Sequence, residues 1–120
     1  MPAECPAEIL VRQQAAPVPG WEATYEPGPN RLSAVTFFDG PPREKASLVY
    51  DDEVKAARET RAVWRFPASG KGIWISCGYE GTAAMLSRRL PASVRACTVS
   101  YERGVTSTAG LPAIRGIECK

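Results

Sequence analysis

The chain has 120 residues, of which 44% are hydrophobic and 23% charged, and its net charge is +2. That length fits one domain, able to bury about two thirds of its unfolded surface. The mixed, near-neutral charge leaves no field to steer nucleic acid or an anionic membrane, and no apolar run approaches the roughly 18 residues of a membrane span.

The dominant hydrophobic period is two, which points to strands. Ile9-Leu10-Val11 is a short β-type run, closed by the loop from Ala15 to Gly20, and Trp21 to Tyr25 reads as a second strand. Pro27-Gly28-Pro29-Asn30 breaks it, since proline cannot donate a ladder hydrogen bond. Leu32 to Phe38 carries apolar groups on both faces and predicts a strand buried on both sides. A polar, turn-rich loop from Asp39 to Lys45 follows, then a short β run from Ser47 to Tyr50.

Asp51 to Thr60 is the one segment with helical spacing, with Asp51 or Asp52 as its cap and Val54, Ala57 and Arg58 recurring at helical intervals. An irregular surface loop fits the same residues. Ala62 to Phe66 and Ile73 to Cys77 flank a Pro- and Gly-containing connection and predict a hairpin. In a symmetric register Trp64 faces Trp74. This pair has two readings, as core filling or as an exposed binding patch. Tyr79 to Thr82 is a tight turn into a strand from Ala83 to Leu86, and Leu90-Pro91 breaks that strand. Val94 to Tyr101 places Cys97, Val99 and Tyr101 on one face. A glycine-rich loop, Gly104 to Pro112, precedes a last strand, Ile114 to Cys119. The predicted fold is mainly β: an antiparallel sandwich or small barrel with at most one short helix.

Four cysteines occur, Cys5, Cys77, Cys97 and Cys119, with no CxxC spacing and no histidine anywhere. No metal site and no cofactor are expected from that set. An even count in a short chain predicts two disulfides and an oxidising compartment. The opening Met1-Pro2-Ala3-Glu4-Cys5 lacks a signal peptide, which fits either a mature exported chain or a cytosolic one with free thiols; the cysteines favour the first. Of the three possible connectivities, Cys5–Cys119 would tie the two ends and Cys77–Cys97 would join two core-facing positions. One objection attaches to the second pair: in a simple meander their strands lie about 9.6 Å apart, too far for a bridge unless they face each other across a sandwich or pair directly.

Catalytic machinery is not legible. Without histidine no Ser–His or Cys–His pair exists, and the glycine-rich stretches match no phosphate-binding pattern. The acids Asp51-Asp52 and Glu4/Glu8 are more simply solvated surface. The chain therefore reads as a binding protein, not an enzyme. Asp39 to Glu44, stiffened by Pro41-Pro42, could enter a cleft at low entropic cost, and Tyr79-Glu80 is a weaker candidate of the same kind.

The stretches Cys5-Pro6, Phe38-Asp39-Gly40-Pro41-Pro42, Trp74 to Thr82, Leu90-Pro91 and Cys97-Thr98-Val99-Ser100-Tyr101 resemble a family of small periplasmic four-cysteine proteins of Gram-negative bacteria found near type VI secretion clusters. The resemblance implies a periplasmic immunity protein. Its partner would be a papain-like peptidoglycan amidase effector of the third type VI amidase family, blocked by occlusion of the active-site cleft. The resemblance marks no contact residues; the preorganised loops named above give Asp39, Gly40, Pro41, Pro42, Arg43, Glu44, Tyr79 and Glu80 as the partner-contacting candidates. No nucleic acid or membrane insertion is expected. The alternatives are a periplasmic envelope-binding or structural module, or a lysozyme inhibitor.

Overall fold

A computed structural model describes residues 5–25, 28–106 and 112–120. Glu4, Pro27 and residues 107–111 of the expected glycine-rich loop lie outside the described residues. Two antiparallel sheets form the molecule. The first contains β1 (Glu8–Ile9), β2 (Asn30–Asp39), β6 (Ile73–Tyr79) and β7 (Met85–Arg89) in that order, with β3 (Ser47–Leu48) also pairing β2. The second runs β4 (Asp52–Lys55), β5 (Glu59–Arg65), β8 (Ala96–Thr106) and β9 (Pro112–Cys119). The expected mainly β, antiparallel class is what the chain adopts.

The two sheets meet through their alternating inward residues. Val35 and Phe37 of β2 and Ile73, Ile75 and Cys77 of β6 face Ala62 and Trp64 of β5, Cys97 and Val99 of β8 and Ile117 of β9. Phe37 is completely buried. Its ring lies 4.9 Å from Trp64 and 5.3 Å from Phe66, both tilted, the geometry in which aromatic quadrupoles attract. The indole N–H of Trp64 donates to the Leu48 carbonyl at 3.0 Å, so the buried polar atom of β5 is satisfied by β3 of the other sheet. This settles Trp64 as core. Trp74 points to the outer face of the first sheet, beside Phe38 and Arg89 in the ladder.

Four expectations are corrected. The 62–66 and 73–77 strands do not form a hairpin: β5 pairs β4 and β8, and β6 pairs β2 and β7. The alternation of each strand was legible, but alternation does not name a partner. β6 is buried along nearly its whole length and so needs a neighbour on each side, while the seven-residue connection from Phe66 to Gly72 is long enough to cross between sheets.

The 51–60 segment is not helical but forms β4 and the start of β5, joined by a bend in which the Ala56 N–H donates to the Glu59 carbonyl at 2.8 Å. It has too narrow an apolar stripe to dock a helix. Asp51 accepts from the Arg65 backbone N–H at 2.6 Å instead of capping a helix, and Asp52 pairs with the Arg65 side chain. Trp21 to Tyr25 forms no strand, and Trp21 is 82% exposed.

The disulfides are Cys5–Cys77 and Cys97–Cys119, and no cysteine is free. The expected pairing Cys5–Cys119 with Cys77–Cys97 is overturned by the sheet assignment. β1 pairs the start of β2 and brings Cys5 over the first sheet, where it meets Cys77. β8 and β9 are adjacent, with Cys97 directly opposite Cys119 in their ladder. The objection raised against Cys77–Cys97 is decided in the same way: those residues belong to opposite sheets, and each has a nearer partner.

The bridges close loops with sequence separations of 72 and 22 residues. The chain-entropy relation gives about 4 kcal/mol for the longer loop and about 3 kcal/mol for the shorter. Removing Cys5–Cys77 by paired serine substitution is therefore expected to lower stability in a denaturant titration more than removing Cys97–Cys119. Non-reducing peptide mapping should recover the Cys5 peptide joined to the Cys77 peptide; a Cys5–Cys119 peptide would contradict the fold.

Candidate functional site

The expected contact residues fall at opposite ends of the first sheet. Asp39 pairs with Ile73 at one end of the β2–β6 ladder and Leu32 pairs with Tyr79 at the other, so the length of β6 separates them by about 20 Å.

At the first pole, β2 ends at Gly40, whose φ of +97° suits glycine. Pro41 precedes a single 3₁₀ turn, Pro42–Glu44, closed by Lys45 in the left-handed region. The prolines preset their own φ values for this turn. The Gly40 N–H donates to the Gly72 carbonyl at 2.8 Å, and the Asp39 N–H to the Ala46 carbonyl at 2.9 Å. The Ser69 hydroxyl bonds the Asp39 carboxylate. The Lys71 ammonium donates to Glu44 at 2.7 Å, and this hydrogen bond, with the charge of the same carboxylate, raises the Lys71 pKa above 10.5. The bend is thus prefolded and braced by the 68–72 loop. A hollow of about 400 Å³ lies between the two loops.

At the second pole, Tyr79 is buried, and its hydroxyl donates to the Pro6 carbonyl at 2.9 Å. Burial raises its pKa. Tyr79 holds the N-terminal segment onto β6 and is not itself a surface residue. The Glu80 carbonyl accepts from the Asn30 side-chain amide at 2.7 Å, locking the β6–β7 turn to the start of β2. A patch of standard size, about 800 Å² per partner, centred on one pole does not extend over the other.

A third feature is a shallow groove of about 800 Å³ across the outer face of the second sheet. Its floor is made of small side chains, Ala96, Thr98 and Ser100, and its rim carries Arg61, Arg115 and Glu118. Glu59 takes the guanidinium groups of both Arg61 and Arg115, so much of the rim charge is already paired. Among the described residues no group of three His, Cys, Asp or Glu side chains is placed to hold a metal ion, and no helix is long and apolar enough to cross a membrane.

Residues 26–120 match the family described as the type VI secretion system Tli immunity protein. The chain belongs to that family. The match spans both sheets from β2 onward and both partners of the Cys97–Cys119 bridge. The chain is also 29% identical over 105 residues, covering 82% of this chain and 70% of the relative, to an uncharacterized 16.3 kDa protein in the trpG 5' region of Azospirillum brasilense. No solved structure matches it. Membership of an immunity family implies a toxin effector as binding partner.

The residues that sequence reading passed over lie in the loop before β2. Val18-Pro19-Gly20-Trp21 carries the proline and glycine of a β-turn, but the segment from Trp21 onward was read as a strand because of its alternation.

The first pole yields a stability test. Replacing Pro41-Pro42-Arg43 by Gly-Ser-Gly removes two preset φ angles, each worth about 0.4–1 kcal/mol through the unfolded state, and loosens an exposed ion pair of little net value. The variant is expected to fold with both disulfides intact and to lose about 1–2 kcal/mol in a denaturant titration. Loss of folding would show that the bend is a structural element and not a surface loop.

Proposed function

We propose that this protein is a periplasmic immunity protein that binds a type VI effector and blocks its attack on the cell envelope. The family match over residues 26–120 carries this reading. The two disulfides support the compartment, since such bonds persist where thiols are oxidised. The scaffold suits the task. An inhibitor needs no chemistry of its own, only a surface that keeps its shape on docking. Rigid loops lose less entropy on binding than flexible ones, and here they are fixed by strand pairing, by bridges into the core and by hydrogen bonds such as those at Gly40 and Asn30.

For the effector, the resemblance in the Cys5-Pro6, Phe38–Pro42 and Trp74–Thr82 stretches favours a papain-like peptidoglycan amidase. Such an enzyme works in a groove, and a prefolded loop entering that groove would exclude substrate. Both poles of the first sheet present such loops.

The test uses a type VI effector of the strain that makes this chain. Cells producing that effector in the periplasm should lyse or stop growing, and export of this chain to the same compartment should rescue them, whereas a cytosolic version should not. With purified proteins, equimolar chain should abolish release of peptide stems from peptidoglycan. If the effector instead releases fatty acid from phospholipid vesicles and the chain suppresses that, the immunity reading holds and the amidase assignment falls. If the chain rescues no cells and leaves every activity of the effector untouched, the immunity reading falls, and the envelope-module alternative takes its place.

A further inference from the structure

Residues 10–25 form no strand, yet they are not featureless. Their apolar side chains face outward: Trp21 is 82% exposed, Leu10 79%, Val18 57% and Tyr25 52%. Solvated singly, such residues would need no explanation. Four of them on one segment of sixteen residues that also holds its own shape are a different matter.

Three devices hold that shape. The tip is a closed turn in which the Trp21 N–H donates to the Val18 carbonyl at 3.1 Å, with Pro19 and Gly20 at its centre. Gly20 has φ +86°, the value a type II turn demands of its third residue, and proline suits the second. The neck is closed by the Tyr25 hydroxyl, which accepts from the Ala15 backbone N–H at 2.8 Å. At the base, the Gln13 amide reaches the Gly81 carbonyl at 3.4 Å, and the Leu10 side chain lies over Gly28, where a Cβ would come within 2.8 Å of it. A Cβ built on Gly20 meets nothing within 4 Å, so the tip stands clear of the body.

The loop shares its pole with the β6–β7 turn through Gly81 and through the Asn30–Glu80 hydrogen bond. It also precedes the stretch matched by the family, which begins at residue 26. The shared fold thus supplies the scaffold, while this loop is a part of the chain that the family pattern does not describe.

Resting on the immunity reading, we infer that the Val18–Trp21 turn is the specificity anchor of the complex: the Trp21 indole inserts into an apolar pocket of the effector, with the Glu80–Gly81 turn alongside. A tryptophan held on a prefolded turn gains its contact area with little further loss of entropy, and tryptophan is among the residues most enriched at interface hot spots. The indole keeps its N–H for a polar group at the pocket wall. The occupant is the effector and not a second copy of this chain, because an immunity protein needs a partner surface and this turn holds the most exposed tryptophan of the described residues on a prefolded tip.

The experiment measures affinity of the purified, disulfide-bonded chain for the type VI effector it protects against, inactivated at its catalytic residue. Four proteins are compared: wild type, Trp21→Ala, Pro19→Gly, and the Pro41-Pro42-Arg43 to Gly-Ser-Gly variant. Trp21→Ala should weaken binding by roughly 30-fold or more with an unchanged melting temperature, because the side chain is exposed. Pro19→Gly keeps the indole and loosens the turn, and should cost several-fold. The Gly-Ser-Gly variant reports what the opposite pole contributes, and its loss of affinity should be smaller than that of Trp21→Ala. Wild-type binding that Trp21→Ala leaves intact would overturn the inference alone, and a loss confined to the Gly-Ser-Gly variant would move the contact to the first pole. A free wild-type chain that is dimeric while Trp21→Ala is monomeric would also overturn it, making the turn a self-association element. Absence of any wild-type binding would bring down the immunity reading and this inference together.

Discussion

Everything in this fold depends on keeping two sheets in register face to face, and the contact that does so is Phe37 against Trp64. Phe37 sits near the C-terminal end of β2 with no exposure, and Trp64 reaches it from β5 and is fixed in turn by its hydrogen bond to Leu48. A core of this size supplies only a modest margin of stability. The bridges extend that margin in two different ways: Cys5–Cys77 fastens the N-terminal segment to the central strand of the first sheet, and Cys97–Cys119 fastens β8 to β9 within the second. Neither bridge joins the sheets to each other. That task is left to the side chains between them, so the aromatic packing is the constraint on which the position of every loop rests.

The sequence was informative about what is local and uninformative about what is distant. The alternation of 96–101 placed Cys97 and Val99 inward, and both are buried. The turns at Gly40 and Gly81 and the break at Leu90-Pro91 were readable because glycine and proline act on the backbone within a residue or two. The partner of each strand was not readable, because period two is the same whichever neighbour supplies the ladder. The false 62–66/73–77 hairpin and the false Cys77–Cys97 bridge both came from that single gap. The 51–60 helix failed for another reason: Asp51 and Asp52 look like caps, but an aspartate that accepts a backbone N–H does so as readily at a strand edge, as Asp51 does with Arg65.

For function, the same asymmetry holds. The absence of histidine, the four cysteines and the stretches around Gly40 and Cys77 were enough to read a binding protein and to suggest an immunity family. They could not say which surface binds. The structure separates the Asp39–Glu44 bend from Glu80 by the length of β6 and turns Tyr79 inward. It also exposes Trp21, which reads in the sequence as the start of a strand and instead closes the turn at Pro19-Gly20. The two poles then differ in chemistry: the first is polar and internally paired, through Lys71–Glu44 and Asp39–Ser69, while the second offers an aromatic side chain to solvent.

The central claim is that the chain neutralises an effector by docking a prefolded pole onto it. Hydrogen–deuterium exchange of the chain, alone and saturated with the inactivated effector, tests this most directly because it reports on backbone amides throughout the chain at once. Protection confined to residues 10–25 and 80–84, with exchange at 39–46 and within β5 and β8 unchanged, is the result the account predicts. Protection spread along the groove of the second sheet, or none anywhere despite complex formation by mass, would contradict it.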